Sequence, residues 1–224
     1  FSFDNFSRRL YTLKVKKLAT GELLEDSIEN TSGGITWAPD NNTLFYTLKD
    51  VDTLRSYKIY RHELGNKNDV EVYHEKDDTF SCYCYKTKSK AFIVIGSDST
   101  LTSEHFFVSA NTPKEVFQTF TTRTRGHEYS IEHAEGAFYI LTNKDARNFK
   151  LMKCDEQNTA IQHWVEVIPH REDTLLESIE LFKNHLVVGE RSNGLTQIKI
   201  TDLTTEKSQF LDFGEPTYTA YIST

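Results

Sequence analysis

Apolar residues come along this chain in short runs, and the runs themselves recur. One run in each unit reads Tyr11-Thr12-Leu13-Lys14-Val15, Tyr57-Lys58-Ile59-Tyr60, Glu104-His105-Phe106-Phe107-Val108, Asn148-Phe149-Lys150-Leu151-Met152 and Leu195-Thr196-Gln197-Ile198-Lys199-Ile200. These start at 11, 57, 104, 148 and 195, so the steps are 46, 47, 44 and 47. The preceding run keeps the same beat, with Phe45, Phe92, Phe138 and Leu186 separated by 47, 46 and 48. A unit of this size cannot bury its own apolar face, so successive units must stack on one another. A period in the forties with several short strands per unit predicts β-propeller blades.

The first full unit shows the expected four strands, over 35–38, 43–47, 57–64 and 70–74. Pro39-Asp40-Asn41-Asn42 supplies the first hairpin turn, since proline pre-sets φ and asparagine tolerates the left-handed region. Gly65-Asn66 turns the chain again. The same reading divides the chain into a partial blade over 1–30, blades over 31–78, 79–126, 127–173 and 174–216, and the start of a further blade over 217–224. In the first of these, the opening strand is missing or reduced to Phe1-Ser2-Phe3. The segment 161–167 has some helical spacing, but Trp164, Val165 and Val167 fit a strand better. The predicted fold is therefore all-β, a partial β-propeller of about five four-stranded blades with both ends open. Propellers normally close by pairing first and last blades, so open ends read as an excerpt from a larger ring.

Composition agrees and narrows the function classes. Aromatics make up 12% of the 224 residues, with eleven tyrosines, which suits a pleated, half-buried surface. The net charge is −7, with both signs mixed throughout. That predicts no nucleic-acid partner and no anionic-membrane partner, because either would need a basic face. No apolar run approaches the roughly 18 residues needed to span a bilayer, and residues 1–10 lack the apolar core of a signal peptide. The three cysteines, Cys82, Cys84 and Cys154, form no disulfide framework. They read as reduced structural thiols, for which the cytoplasm is the natural compartment.

No catalytic set emerges. Gly96-Ser97-Asp98 lacks the second glycine of a nucleophile elbow, and no phosphate-binding glycine loop occurs. His127 and His133 would share a strand face about 20 Å apart, too far for one metal, and read as polar cross-strand or loop histidines. Glu75-Lys76-Asp77-Asp78 reads as a solvated turn between blades closed by Asx-type bonds. Arg123 and Arg125 fall on another connection, and Arg8-Arg9 precedes the first strong strand. The expectation is no catalytic residue, no metal ligand and no cofactor.

An ordered series of short stretches resembles a known family. Phe6-Ser7-Arg8-Arg9-Leu10-Tyr11, Leu18-Ala19-Thr20-Gly21-Glu22, Trp37-Ala38-Pro39-Asp40 and Tyr60-Arg61-His62-Glu63-Leu64-Gly65 are similar to the propeller of the prolyl oligopeptidase family of serine peptidases, in its oligopeptidase B (protease II) branch. The likeness continues through Glu75-Lys76-Asp77-Asp78-Thr79-Phe80, Thr102-Ser103-Glu104, His127-Glu128-Tyr129-Ser130, Thr142-Asn143 and Val187-Val188-Gly189-Glu190-Arg191. It implies a seven-bladed propeller joined to an α/β-hydrolase domain that carries the Ser-Asp-His triad and acidic residues selecting Arg or Lys. None of these has a counterpart in residues 1–224. The implied role is to cover an active site and admit short basic peptides, with Arg9 at a family position that contacts the catalytic domain. The alternative is a stand-alone protein-interaction propeller. A propeller glycosidase or lactonase ranks last, because no Asp or Glu recurs at matching blade positions.

Open blade edges would pair with neighbours, so self-association is expected. Sedimentation at high concentration checks this, and a strictly monomeric profile would count against it.

Overall fold

The computed structural model describes residues 1–222 as antiparallel strands, with one turn of 3-10 helix at Ile161–His163 among them. The chain forms two compact units, residues 1–122 and the residues from 123 onward.

In the first unit a six-stranded sheet runs in chain order through β1 (Ser2–Phe3), β2 (Tyr11–Lys16), β3 (Leu23–Trp37), β4 (Thr43–Lys49), β5 (Ser56–Glu63) and β6 (Val70–His74). Residues 30 and 31, where the expected segments 1–30 and 31–78 meet, lie inside one continuous strand. β3 pairs with β2 up to Thr31 and with β4 from Thr31 onward. Between the two stretches Asn30 (φ 60°) and Gly33 (φ 94°) enter the left-handed region and bend the strand. Gly33 is required there twice over. Its φ is positive, and an added Cβ would lie 3.1 Å from the Tyr11 ring. The bend brings Leu13 and Val15 of β2 onto Leu44 and Tyr46 of β4 in a buried cluster.

A second sheet of this unit has the order β10-β9-β8-β7, from β7 (Ser81–Lys86), β8 (Phe92–Asp98), β9 (Ser103–Ser109) and β10 (Gln118–Thr119). Its core is shared with the first sheet: Phe45 and Ile59 pack with Cys82, Ile93, Ile95 and Val108. The second unit repeats the plan. β11 (Tyr129–Ala134), β12 (Ala137–Thr142), β13 (Lys150–Asp155) and β14 (Val165–Ile168) form one sheet. β15 (Thr174–Phe182), β16 (His185–Ser192), β17 (Leu195–Asp202) and β18 (Ser208–Phe210) form the next. Leu141 and Leu151 pack there against Leu176, Leu181, Leu186 and Val188.

The hairpins use the turn chemistry that the sequence announces. Asp40 accepts the amides of Asn42 and Thr43 at 2.9 and 2.8 Å, and Asn41 takes φ 54°. In contrast, residues 217–222 carry no regular structure, so the further opening strand expected over 217–224 is not formed there. Residues 223 and 224 lie outside the described residues. Phe213 packs at a tilt against Tyr218 instead, with ring centroids 4.5 Å apart.

Between consecutive sheets the chain crosses over, and the crossovers are held by buried polar side chains. Glu75 follows β6 and is only 4% exposed, so it is not the solvated turn residue expected. Its carboxyl accepts Ser97 Oγ of β8 at 2.5 Å, Tyr73 OH at 2.8 Å and the Asp77 amide at 2.9 Å. Asp77 does close an Asx-type turn on Thr79 as expected. Arg55 completes the clasp by donating to the carbonyls of Asp77 (3.1 Å) and Phe80 (2.9 Å).

The device recurs at the same strand position with different chemistry. Thr142, closing β12, meets His127 Nε2 at 2.8 Å. Glu190 of β16 pairs with Arg171 of the preceding crossover. Asn148, just before β13, donates to the carbonyls of Arg171 and Glu172 at 2.9 Å, as Arg55 does before β5. Ser97, Thr142 and Glu190 are all buried. A glycine precedes two of them, because a Cβ at Gly96 would strike the Tyr83 ring at 2.3 Å and one at Gly189 would strike Ser178 Oγ at 2.6 Å.

Stranding a buried partner is the costly part of losing such a contact. Glu75→Ala is expected to cost about 2–4 kcal/mol and Ser97→Ala about 1–2 kcal/mol. Because both remove one bond, the double variant should fall short of their sum by at least about 0.5 kcal/mol. Urea unfolding of the four proteins checks this, and simple additivity would deny the pairing.

Candidate functional site

The chain must reverse between β1 and β2 without a glycine. It does so around Asp4, whose two carboxylate oxygens accept the amides of Phe6 at 2.9 Å and Arg9 at 2.7 Å. Ser7 (φ 55°) and Arg9 (φ 61°) sit in the left-handed region, which ordinary residues occupy only when their surroundings hold them there. The Phe6 amide, with the Arg9 amide behind it, keeps the Asp4 carboxyl below its ordinary range. Lys49 Nζ of β4 donates to the Arg9 carbonyl at 3.1 Å and ties the loop to the sheet. Arg8 and Arg9 are exposed, and among the described residues neither guanidinium has a hydrogen-bonded or ion-paired partner. Two planar cations on a fixed loop suit carboxylates, which they can grip through paired N–H bonds.

A second polar cluster lies in the first sheet and was not singled out from the sequence. His62 of β5 is buried between two carboxylates, with Nε2 2.8 Å from Asp26 and Nδ1 2.7 Å from Asp69. The Gly65 amide donates to Asp26 at 2.7 Å and Tyr46 OH to Asp69 at 2.7 Å. Burial alone would raise the Asp26 carboxyl, but the Gly65 amide and His62 outweigh it and leave it below its usual range. Burial and the Asp69 carboxylate together push the Tyr46 hydroxyl well up. Both ring nitrogens are occupied, so neither is available as a base. The cluster joins β3 to the β5–β6 hairpin and works as a cross-link. Nothing in the pattern of β5, where Lys58, Arg61 and Glu63 are charged as well, marks out His62.

The remaining candidates are also absorbed by the fold. His127 bonds Thr142, and its ring stacks on Tyr129 at 4.8 Å. His133 Nε2 reaches Glu156 at 3.0 Å. Burial lowers both histidines and pushes His105 of β9 down to about 3. Burial likewise raises the thiols of Cys82 and Cys84 to about 12 and of Cys154 to about 11. Arg125 is exposed and Arg123 half-buried. Among the described residues, none of those flagged from the sequence joins a reactive cluster, and Arg125 and the Arg9 loop are among those left exposed.

The sequence model for "Prolyl oligopeptidase, N-terminal beta-propeller domain" matches residues 1–224. The chain belongs to this family. Its sheets are blades of that propeller. Dipeptidyl aminopeptidase BI of Pseudoxanthomonas mexicana is 36% identical over 203 residues, covering 89% of this chain and 28% of that protein. Protease 2 of Moraxella lacunata is 34% identical over 216 residues, covering 95% and 31%. Among solved structures, oligopeptidase B from Leishmania major superposes with a TM-score of 0.90 at 30% identity, over 98% of this chain and 32% of that one. Oligopeptidase B from Trypanosoma brucei gives a TM-score of 0.85 at 26% identity, over 98% and 32%. The propeller thus spans less than a third of the length of these relatives.

Because the folded His105 takes up a proton far less readily than the unfolded one, it favours the fold above about pH 6.5. That contribution is lost as pH falls from 6.5 toward about 3, by at most about 1.4 kcal/mol per pH unit. His105→Leu is expected to flatten the acid limb of a urea-midpoint-against-pH curve over that window. An unchanged slope would contradict the assignment.

Proposed function

We propose that this propeller is the non-catalytic, substrate-gating domain of a serine oligopeptidase of the oligopeptidase B type. Its partner is an α/β-hydrolase domain in the same polypeptide, and the whole enzyme cleaves short peptides after Arg or Lys. The observation that carries the reading is the match of residues 1–224 to the family's propeller, together with the 0.90 superposition on an oligopeptidase B. A stacked array of blades suits exclusion, since it presents a wall that short or unfolded peptides can pass around or through and folded proteins cannot. Movement of the wall relative to the hydrolase domain would admit substrate and assemble the site, as mobile lids do in other enzymes. The free thiols of Cys82, Cys84 and Cys154 support a reducing compartment, the cytoplasm.

Arg9 is the contact with the hydrolase domain in this reading. The exposed guanidinium on a loop fixed by Asp4 supports that role. An Arg-directed chromogenic peptide should be turned over by the full-length enzyme and left intact by residues 1–224. Arg9→Ala in the full-length enzyme should lower kcat/KM about tenfold, equal to about 1.4 kcal/mol. Propeller stability should not change. Wild-type kinetics in that variant would remove Arg9 from the interface.

A further inference from the structure

The Arg9 loop carries one more feature that its own geometry does not require. Phe6 is 86% exposed, between the Asp4 acceptor and the two arginines. A reversal of this kind needs the Asp4 carboxylate and two residues tolerant of positive φ. It has no use for an aromatic ring in water. An exposed aromatic beside unpaired guanidiniums is the composition of a binding hot spot. The charge is local as well. Residues 1–20 hold five Lys and Arg against one acidic residue, in a chain whose net charge is −7. A basic, aromatic projection on an otherwise acidic chain is complementary to an acidic partner.

We propose that Phe6, Arg8 and Arg9 form one preorganised peg that docks into an apolar socket flanked by carboxylates on the hydrolase domain. This rests on the two-domain reading above and extends it from a point contact to a shaped surface. Asp4 is a positioning residue here, since it touches no partner and sets the loop through its bonds to the Phe6 and Arg9 amides. Lys49 supports it from β4 by holding the Arg9 carbonyl. A loop already fixed in its bound shape loses little freedom on docking.

The test uses the full-length enzyme carrying Phe6→Cys or, as control, Val116→Cys. Val116 is 87% exposed on the connection between β9 and β10. Cys82, Cys84 and Cys154 give little background with iodoacetamide at pH 7.5, because burial raises them to about 11 or 12, and labelling of the unsubstituted full-length enzyme is subtracted as the blank. Alkylation at position 6 is expected to be at least tenfold slower than at 116, at every protein concentration. Equal rates would overturn the peg. Protection that appears only as concentration rises would overturn it too, since a second copy would then be the partner.

A second arm reads the loop's shape. Asp4→Ala should lower kcat/KM about as far as Arg9→Ala with an unchanged urea midpoint, and Asp4→Asn should restore part of it. Full activity in Asp4→Ala would deny the preorganisation. If Arg9→Ala loses activity while position 6 alkylates freely, the peg fails and the two-domain reading stands. If the full-length chain has no Arg-directed activity, that reading fails first.

Discussion

An antiparallel sheet of four short strands has two faces, and its own strands can dry neither. Everything in this molecule follows from the need to lay one such sheet on the next in a single register. Apolar area supplies the attraction but is indifferent to a slide of one residue along the stack. The buried polar pairs at the crossovers are not indifferent. Glu75 with Ser97 and Arg171 with Glu190 each lose a bond if the two sheets of their unit shift. Leaving such groups unpaired is expensive enough to fix the stacking. The pairs differ in charge and kind, so what recurs is the position rather than the residue.

That rigidity bears on the role proposed for Arg9. The outward loop at Arg9 is anchored through Lys49 to β4, and β4 is locked in turn between the bent β3 and the cluster around His62. A guanidinium offered from a mobile terminus would lose much of its binding energy to ordering. Offered from a sheet whose neighbour in the same unit is latched to it, it loses less.

Much of this was legible in the sequence because it is periodic. The strands of the blades expected over 31–78, 79–126, 127–173 and 174–216 appear close to their expected places, since period-two runs punctuated by Asp, Asn and Gly turns leave few alternatives. Three things escaped. The continuity of β3 depends on Asn30 and Gly33 bending a strand rather than ending it, which local composition does not distinguish. Glu75 sits in a charge run that looks solvated, and its burial comes from Ser97, twenty-two residues away. His62 draws its partners from Asp26 and Asp69 on other segments, and such convergence leaves no mark in spacing. Arg9 was flagged by family resemblance alone, and what the structure adds is its place on a loop held by Asp4 and Lys49.

The central claim is that latched stacking makes neighbouring blades one cooperative body. Native-state hydrogen exchange on the Glu75→Ala protein tests it most directly. The account predicts that amides of β5 and β6 lose protection together with those of β7 and β8, by similar factors, as the two sheets open jointly. Loss confined to the few residues around position 75, with β7 and β8 as protected as in the wild type, would contradict it.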